Sequence, residues 1–463
     1  MAIRESTISQ HYGRLLSCSV PCEGLGFERF LGSAAGGARY YWENRADQVA
    51  FAGAGTAVEL MAWGPDRYDK IGAYARELFD GAHISGEGNP IAGPRLYGGF
   101  AFRHDFTPDN TWSIYSPAFF VLPHYQLVRC GGDCLDAAPA MWLTINTQIP
   151  PDEAPEPLIP ALQEALRSKI AQLKVDEQPL DEDGRNRGLS IDYPMSYPTW
   201  ERMIQDATAR IRGGELRKVV LARAAELRFT KRIRLLPVLR NLALQYADCY
   251  RFLFEPRPQY AFYGASPELL ASVRGRRFET MALAGSMDRG ETDEADRRLG
   301  RALLDSAKER HEHRIVVDKM RQRLAPLTDS LEMPPPSLLK LSNIQHINTP
   351  IRGLLKHPTG VLPLVKALHP TPALGGDPRP QAMRLIRELE PIPRGWYGAP
   401  VGWIDSQLDG QFAVAIRSAV AQDSRVWIYA GAGIVADSIP QQEWAETELK
   451  FRPMLDAHHV MQE

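Results

Sequence analysis

The stretch AGAGIVADSIPQQEWAETELK, residues 430–450, decides how the rest of the chain is read. Ahead of it RVWIYA, Arg425 to Ala430, alternates and is rich in β-branched and aromatic residues, which predicts a strand. Gly431 and Gly433 are expected to break that strand as a turn. Ser438 and Pro440 then predict an N-cap and a first helical turn. Beyond them Glu443, Glu446 and Lys450 fall at i, i+3 and i+7, on one helix face. Two acids and a lysine so placed can hold a hydrated divalent cation and an anionic ligand together. They can equally be a solvated face carrying a Glu446–Lys450 ion pair. A dinucleotide fingerprint through Gly431, Gly433 and Ala436 is excluded, because Pro440 delays the helix that must open inside the glycine pattern.

The composition sets broad bounds. A chain of 463 residues, 44% hydrophobic and 24% charged, is that of an ordinary globular protein. A net charge of −2 gives no electrostatic footprint for nucleic acid or an acidic membrane. No apolar run has the length of a membrane span and MAIRESTISQ lacks a signal-peptide core, so a cytoplasmic location is expected. Five cysteines argue against a disulfide framework. Cys18/Cys22 and Cys130/Cys134 are spaced too loosely for a zinc knuckle and have no histidine beside them, while Cys249 reads as a core thiol.

The first ~150 residues carry short alternating runs (ARYYWENR, QVAFAGAG, RLYGGFAF, SPAFFVLPHYQLV, PAMWLTINT) that predict antiparallel strands, with a helix near DRYDKIGAYARELFD. This part reads as scaffold. A helix is expected over LIPALQEALRSKIAQLK, and the polar stretch VDEQPLDEDGRNRGLSIDYP reads as a linker near 174–190. The division is thus 1–190, strand-rich, and 191–463, where the chemistry lies.

In that second part, KVVLARAAEL predicts a strand with Val219, Leu221 and Leu227 on one face and Lys218, Val220, Ala222 and Ala224 on the other. Lys218 opens a face of small side chains, where it would be partly desolvated; a strand-edge lysine that blocks aggregation is the plainer reading. In YGASPELL, Glu268 follows a Ser-Pro turn and precedes two leucines, a setting that raises a carboxyl's pKa if it is half-buried. The loop Leu283–Ser286 is expected to lead into one long helix with a buried stripe of Leu304, Ala307, Ile315 and Val316. Glu312 lies beside that stripe, and His311 and His313 lie on the surface. HPTPALGG and RGWYGAPVGW predict a pocket wall and a hairpin, and Arg417, in mid-strand, calls for a buried carboxylate partner.

Taken in order, KVVLAR, GASPELL, LAGS, KERHEH, HPTPALGG, RGWYGAPVGW, AIRSA and AGAGIV followed by S-x-P-x-x-E-x-x-E-T-x-x-K resemble the chorismate-utilising enzymes, over about residues 195–455. That family includes isochorismate synthases, salicylate synthases and the large components of anthranilate and aminodeoxychorismate synthases. The resemblance implies an α+β fold of two large stacked antiparallel sheets with helices outside, the N-terminal strands belonging to the same compact unit. It implies Mg2+ held by Glu312 and Glu446, with Glu443 a nearby ligand. Substrate carboxylates would be bound by Arg417, Tyr397, Lys450 and the backbone at Gly431 and Gly433. Glu268 would be the general acid for the departing 4-hydroxyl, and Lys218 the general base for the nucleophile at C2.

Several positions select among the members. Amination enzymes of the family usually carry glutamine at Lys218, and aminodeoxychorismate synthases carry a lysine where this chain has Ala284. Water is therefore the expected nucleophile. An unperturbed lysine, with a pKa near about 10.4, is neutral only about one time in a thousand at neutral pH, so the base needs a lowered pKa. Ala373 with Leu374 in the pocket wall resembles isochorismate synthases, where salicylate synthases tend to have threonine at the first position. ELEPIPRGWYGAPVGW resembles the menaquinone branch more than the siderophore branch. Gln411 departs from a common glutamate without removing a catalytic group. The expectation is an Mg-dependent isochorismate synthase, an isomerase acting on small-molecule chorismate as a monomer with no obligatory protein partner. A salicylate, anthranilate or aminodeoxychorismate synthase is the alternative. A silent chorismate-binding relative would lack one of Lys218, Glu268, Glu312 or Glu446, and all four are present.

Overall fold

The structure, a computed structural model, describes residues 13–45, 49–86, 90–131, 140–175 and 189–459. Of the expected linker near 174–190, residues 176–188 lie outside the described residues, as does Cys134, while its ends belong to the helix Ile159–Val175 and the strand Leu189–Asp192. The described strands form a thirteen-stranded and a ten-stranded sheet, antiparallel apart from one parallel pairing of His83–Ser85 with Arg14–Cys22.

Both sheets mix the N-terminal and C-terminal parts of the chain. In the larger, the strand Arg39–Asn44 pairs with Tyr250–Arg257; in the smaller, Arg95–Phe100 pairs with Pro400–Asp405. The scaffold strands thus extend the sheets that carry the chemistry. Between the sheets lies an aromatic core that includes Tyr40, Phe51, Phe119, Trp396 and Phe254. Rings of this size bury enough apolar area that losing one costs about 3–5 kcal/mol. Helices cover the outer faces: Arg67–Asp80 and Ala307–Leu324 pack on the smaller sheet, Ile159–Val175 and Pro440–Ala457 on the larger. Among the described residues no helix is long and apolar enough to cross a membrane.

Four sequence expectations are corrected. The strand Arg425–Ile434 runs straight through Gly431 and Gly433, which pair with Ala222 and Val220 of Lys218–Phe229. These glycines are there for space, not for a turn. Ser438 does not cap the following helix, whose N-cap is Ile439; its hydroxyl instead accepts from the Val435 amide at 3.1 Å. Leu283–Ser286 is part of the strand Arg277–Asp288, bulged where Gly285 takes φ +82°, and not a loop. The expected long helix is two, Asp293–Asp305 and Ala307–Leu324, because Ser306 leaves helical geometry and caps the second through the Glu309 amide. Leu303 is buried there while Leu304 is only partly so and Ala307 is exposed. Cys18, Cys22 and Cys249 are buried free thiols, and Cys130 is buried too.

Candidate active site

Lys218 begins a twelve-residue strand in which all side chains but Arg228 are buried. The strand is interior, with Arg425–Ile434 on one side and Leu189–Asp192 and Gly376–Asp377 on the other, so the edge-lysine reading fails. Its two faces divide as the alternation requires. Val219 and Leu221 pack under helices, while Ala222 and Ala224 join the aromatic core. Lys218 is fully buried, and its ammonium donates to Glu312 Oε1 at 2.7 Å from the helix Ala307–Leu324.

Glu268 and Arg417 are brought together by the seam between the sheets. The chain leaves the larger sheet at Ser266 and enters the smaller at Leu269; it returns from Val414 to Ser418. The two crossings are bonded side by side: the Val414 amide donates to Glu268 O at 3.0 Å, Ala265 N to Arg417 O at 3.1 Å, and the Ser266 hydroxyl to Val414 O at 2.5 Å. Arg417 is therefore not in mid-strand. It sits in the crossing with φ +48°, a left-handed conformation that a side chain beyond glycine adopts at a cost of about 1–2 kcal/mol. Its Nη2 meets His346 Nε2 at 2.9 Å, while Nε and Nη1 are buried without a protein partner. Such groups call for a ligand anion.

A cavity of about 80 Å3 opens at this seam, lined by Glu268, Glu312, Ala373, Leu374, Tyr397 and Arg417, with Gly431, Gly433, Glu446 and Lys450 along its other side. Tyr397 is stacked on Tyr429 with ring centroids 5.2 Å apart. Lys450 donates to Gly431 O at 2.9 Å and to Glu446 Oε1 at 2.6 Å, so the helix face of Glu446 and Lys450 points into the cavity and not to solvent. Glu443 is buried one turn away and bonded to Lys308 at 3.2 Å, outside the lining. Gln411 accepts from Trp42 Nε1 at 3.1 Å in the core, clear of the cavity.

The electrostatics follow from burial and company. Burial pushes the Glu268 carboxyl up to about 8, against the pull of Lys218, Arg417 and Lys450. Glu309 is pushed up to about 7 by burial and then by Glu312 and Glu446. Glu443 is raised by burial and by Glu446. Burial also works against Glu446, but Lys450 outweighs it and holds that carboxyl below the ordinary range. Glu309, Glu312, Glu443 and Glu446 thus crowd together beside Lys218, Lys308 and Lys450, and their hard oxygens suit a small divalent cation. Among the described residues no three His, Cys, Asp or Glu side chains close into a cage.

Sequence reasoning missed Glu309, Ser286, His346, Lys308 and the Glu390–Arg394 pair. Glu309 is three residues before Glu312 on the same helix, a spacing that could have found it. His313, expected on the surface, is buried with Nε2 2.8 Å from Thr349 Oγ1, whereas His311 is exposed. Arg394 donates to Leu374 O at 2.9 Å and to Val220 O at 2.8 Å, and Glu390 accepts from the Ala222 amide at 2.8 Å. The pair ties the pocket wall to the Lys218 strand, a contact that no local pattern announces.

Gly433 has room for hydrogen only: a Cβ there would overlap Glu312 Oε1 and crowd Lys218 Cε at 3.1 Å. The obstructing atoms are ends of flexible side chains, so Gly433→Ala should fold with a melting temperature near that of the parent while turnover falls at least about tenfold. Parallel melting curves and rate measurements check this, and unchanged turnover would show that the Lys218–Glu312 geometry is not needed.

Known proteins agree with this architecture. A protein from Pseudomonas aeruginosa described as a salicylate biosynthesis isochorismate synthase is 38% identical over 421 residues, 90% of this chain and 84% of the relative. Isochorismate synthase MenF of Bacillus subtilis is 34% identical over 428 residues, 91% and 88% of the two chains. The solved structure of MenF, the menaquinone-specific isochorismate synthase from Escherichia coli, superposes with a TM-score of 0.78 at 27% identity, covering 97% of this chain and 96% of that one. Residues 2–459 match the family described as chorismate binding enzyme, and the chain belongs to that family.

Proposed function

We propose that this protein is an isochorismate synthase, converting chorismate to isochorismate by attack of water at C2 and loss of the 4-hydroxyl. The observation that carries the reading is one cavity lined by Glu268, whose carboxyl burial raises to about 8, and by Glu312, which holds the buried Lys218 ammonium behind the lining. Lys218 Nζ, acting as the neutral amine, takes the proton of the attacking water, and Glu268 gives its proton to the departing hydroxyl. One proton is accepted and one donated, so the net reaction is an isomerisation. Arg417, through its two buried N–H groups without a protein partner, and Lys450 hold the substrate's carboxylates, with Tyr397 and the backbone at Gly431 and Gly433 shaping the surface on which the ring lies. Ala373 and Leu374 close the wall.

Glu312 and Glu446 would hold Mg2+, with Glu443 and Glu309 beside them; bound there, the ion supplies positive charge opposite the ring carboxylate. The names of the relatives support the water-addition reading, and Lys218 and Ala284 speak against ammonia as nucleophile. The motif ELEPIPRGWYGAPVGW favours use of the product in menaquinone synthesis.

The test is incubation with chorismate and magnesium, with and without ammonium, followed by chromatography. Isochorismate alone is the expected product, its formation stopped by a chelator and restored by added Mg2+. Salicylate with pyruvate, or anthranilate, would overturn the assignment, and full activity after exhaustive chelation would overturn the metal.

A further inference from the structure

Arg223 is only 1% exposed, on the strand that carries Lys218 but on its opposite face, and it does not line the cavity. Its guanidinium is held by the helix Pro440–Ala457. Nε donates to Thr447 Oγ1 at 2.7 Å and Nη2 to Glu448 Oε1 at 2.5 Å. The guanidinium carbon lies 3.6 Å from the centre of the Trp444 ring and 4.8 Å from that of Phe451. Nη1 is buried without a partner. Burying a charge in this way gains little stability over an apolar side chain of the same volume; what it supplies is one specified arrangement.

The arrangement it specifies is the rotation of the helix. Trp444, Thr447, Glu448 and Phe451 stand at i, i+3, i+4 and i+7, a single stripe. Glu443, Glu446 and Lys450 each precede a member of that stripe by one residue, so they form a second stripe turned from it by about 100°. A planar fork that bonds one stripe and stacks on its rings fixes the direction of the other, where apolar packing alone would let the helix roll. The same strand sets the opposite end of the contact: Ala222 pairs with Gly431, whose carbonyl accepts from Lys450 at 2.9 Å.

We propose that Arg223 is a positioning residue, which fixes the rotation of this helix and so aims Glu446 and Lys450 into the cavity. Arg223→Met tests it, because methionine fills the space and leaves no partner stranded: Thr447 Oγ1 still donates to Trp444 O at 2.7 Å, and the Glu448 side chain is 34% exposed. Thr447→Val removes only the acceptor of Nε, and Thr447→Ser restores it. Two measurements are made on the whole protein: uptake of Mn2+, standing in for Mg2+, read without substrate from loss of the free ion's paramagnetic resonance signal, and kcat and KM with chorismate. Mn2+ should bind about tenfold more weakly in Arg223→Met and Thr447→Val, with KM raised about tenfold and kcat within about threefold of the parent, while Thr447→Ser behaves as the parent. Only the kinetic measurement rests on the isochorismate synthase reading; a parent that takes up Mn2+ but leaves chorismate unchanged would sink that reading and not this one. Mn2+ affinity equal to the parent's in Arg223→Met and Thr447→Val, even with a lowered melting temperature, or no uptake by the parent, would overturn the proposal.

Discussion

Lys218→Gln is expected to be as inactive as Lys218→Ala, each losing about 10²- to 10⁴-fold in kcat with the fold retained. The pair of variants separates two things that lysine does at this position. Its ammonium is bonded to Glu312 at 2.7 Å at the end of a fully buried stem, so part of its role is to fill space and satisfy a carboxylate. Glutamine has nearly the same reach and can still donate to Glu312, but it cannot accept a proton from water. Alanine loses both functions and leaves a void, for which a stability loss of about 2–4 kcal/mol is expected. If the side chain only braces Glu312, the glutamine variant should keep most of its turnover and the alanine variant should not. If it moves the proton, both fail alike while only alanine lowers the melting temperature. Rates with chorismate and thermal melts of the three proteins decide the matter. Substantial turnover in Lys218→Gln would remove Lys218 from the chemistry.

How much of this was legible in the sequence can be seen at individual residues. Alternation gave the two faces of the Lys218 strand correctly, because a strand buried on both sides still has a period of two, and the small residues Ala222 and Ala224 marked the face that meets bulky rings. Helical spacing placed Glu446 and Lys450 together for the same reason. What failed was whatever depends on a second segment. Gly431 and Gly433 look like a turn in isolation, yet they are strand residues kept small by Glu312, Lys218 and Tyr397 approaching from elsewhere in the chain. Arg417 looks like mid-strand because FAVAIRSAV is continuous in pattern, although the chain changes sheets inside it. The partners of Arg394, on Val220 and Leu374, are 174 and 20 residues away in sequence. Periodicity reports a segment's own burial but not which sheet it joins.

Glu268→Gln is the other substitution with a large expected effect, and its pH profile is the sharper part of the test. Burial holds the Glu268 carboxyl at about 8, against an ordinary value of 4.5, so at pH 7 about nine tenths of the protein has the proton that the departing hydroxyl requires. Turnover by the parent should therefore fall as pH rises through about 8, approaching tenfold per unit above it. The amide keeps the shape and can donate a hydrogen bond but cannot release a proton, so kcat should drop about 10²- to 10⁴-fold and the limb near pH 8 should vanish from what remains. Stability should move the opposite way. Because the folded-state value is raised, the protonated carboxyl's contribution is complete below about 4.5 and is lost as pH climbs to about 8, where a charge must be carried in a buried site. Above that pH the glutamine variant is spared the ionisation and should melt higher than the parent, while near pH 5 the two should be nearly alike. A parent profile flat through pH 8, together with a variant that gains nothing in alkaline solution, would mean that this carboxyl is ionised at neutral pH and is not the acid.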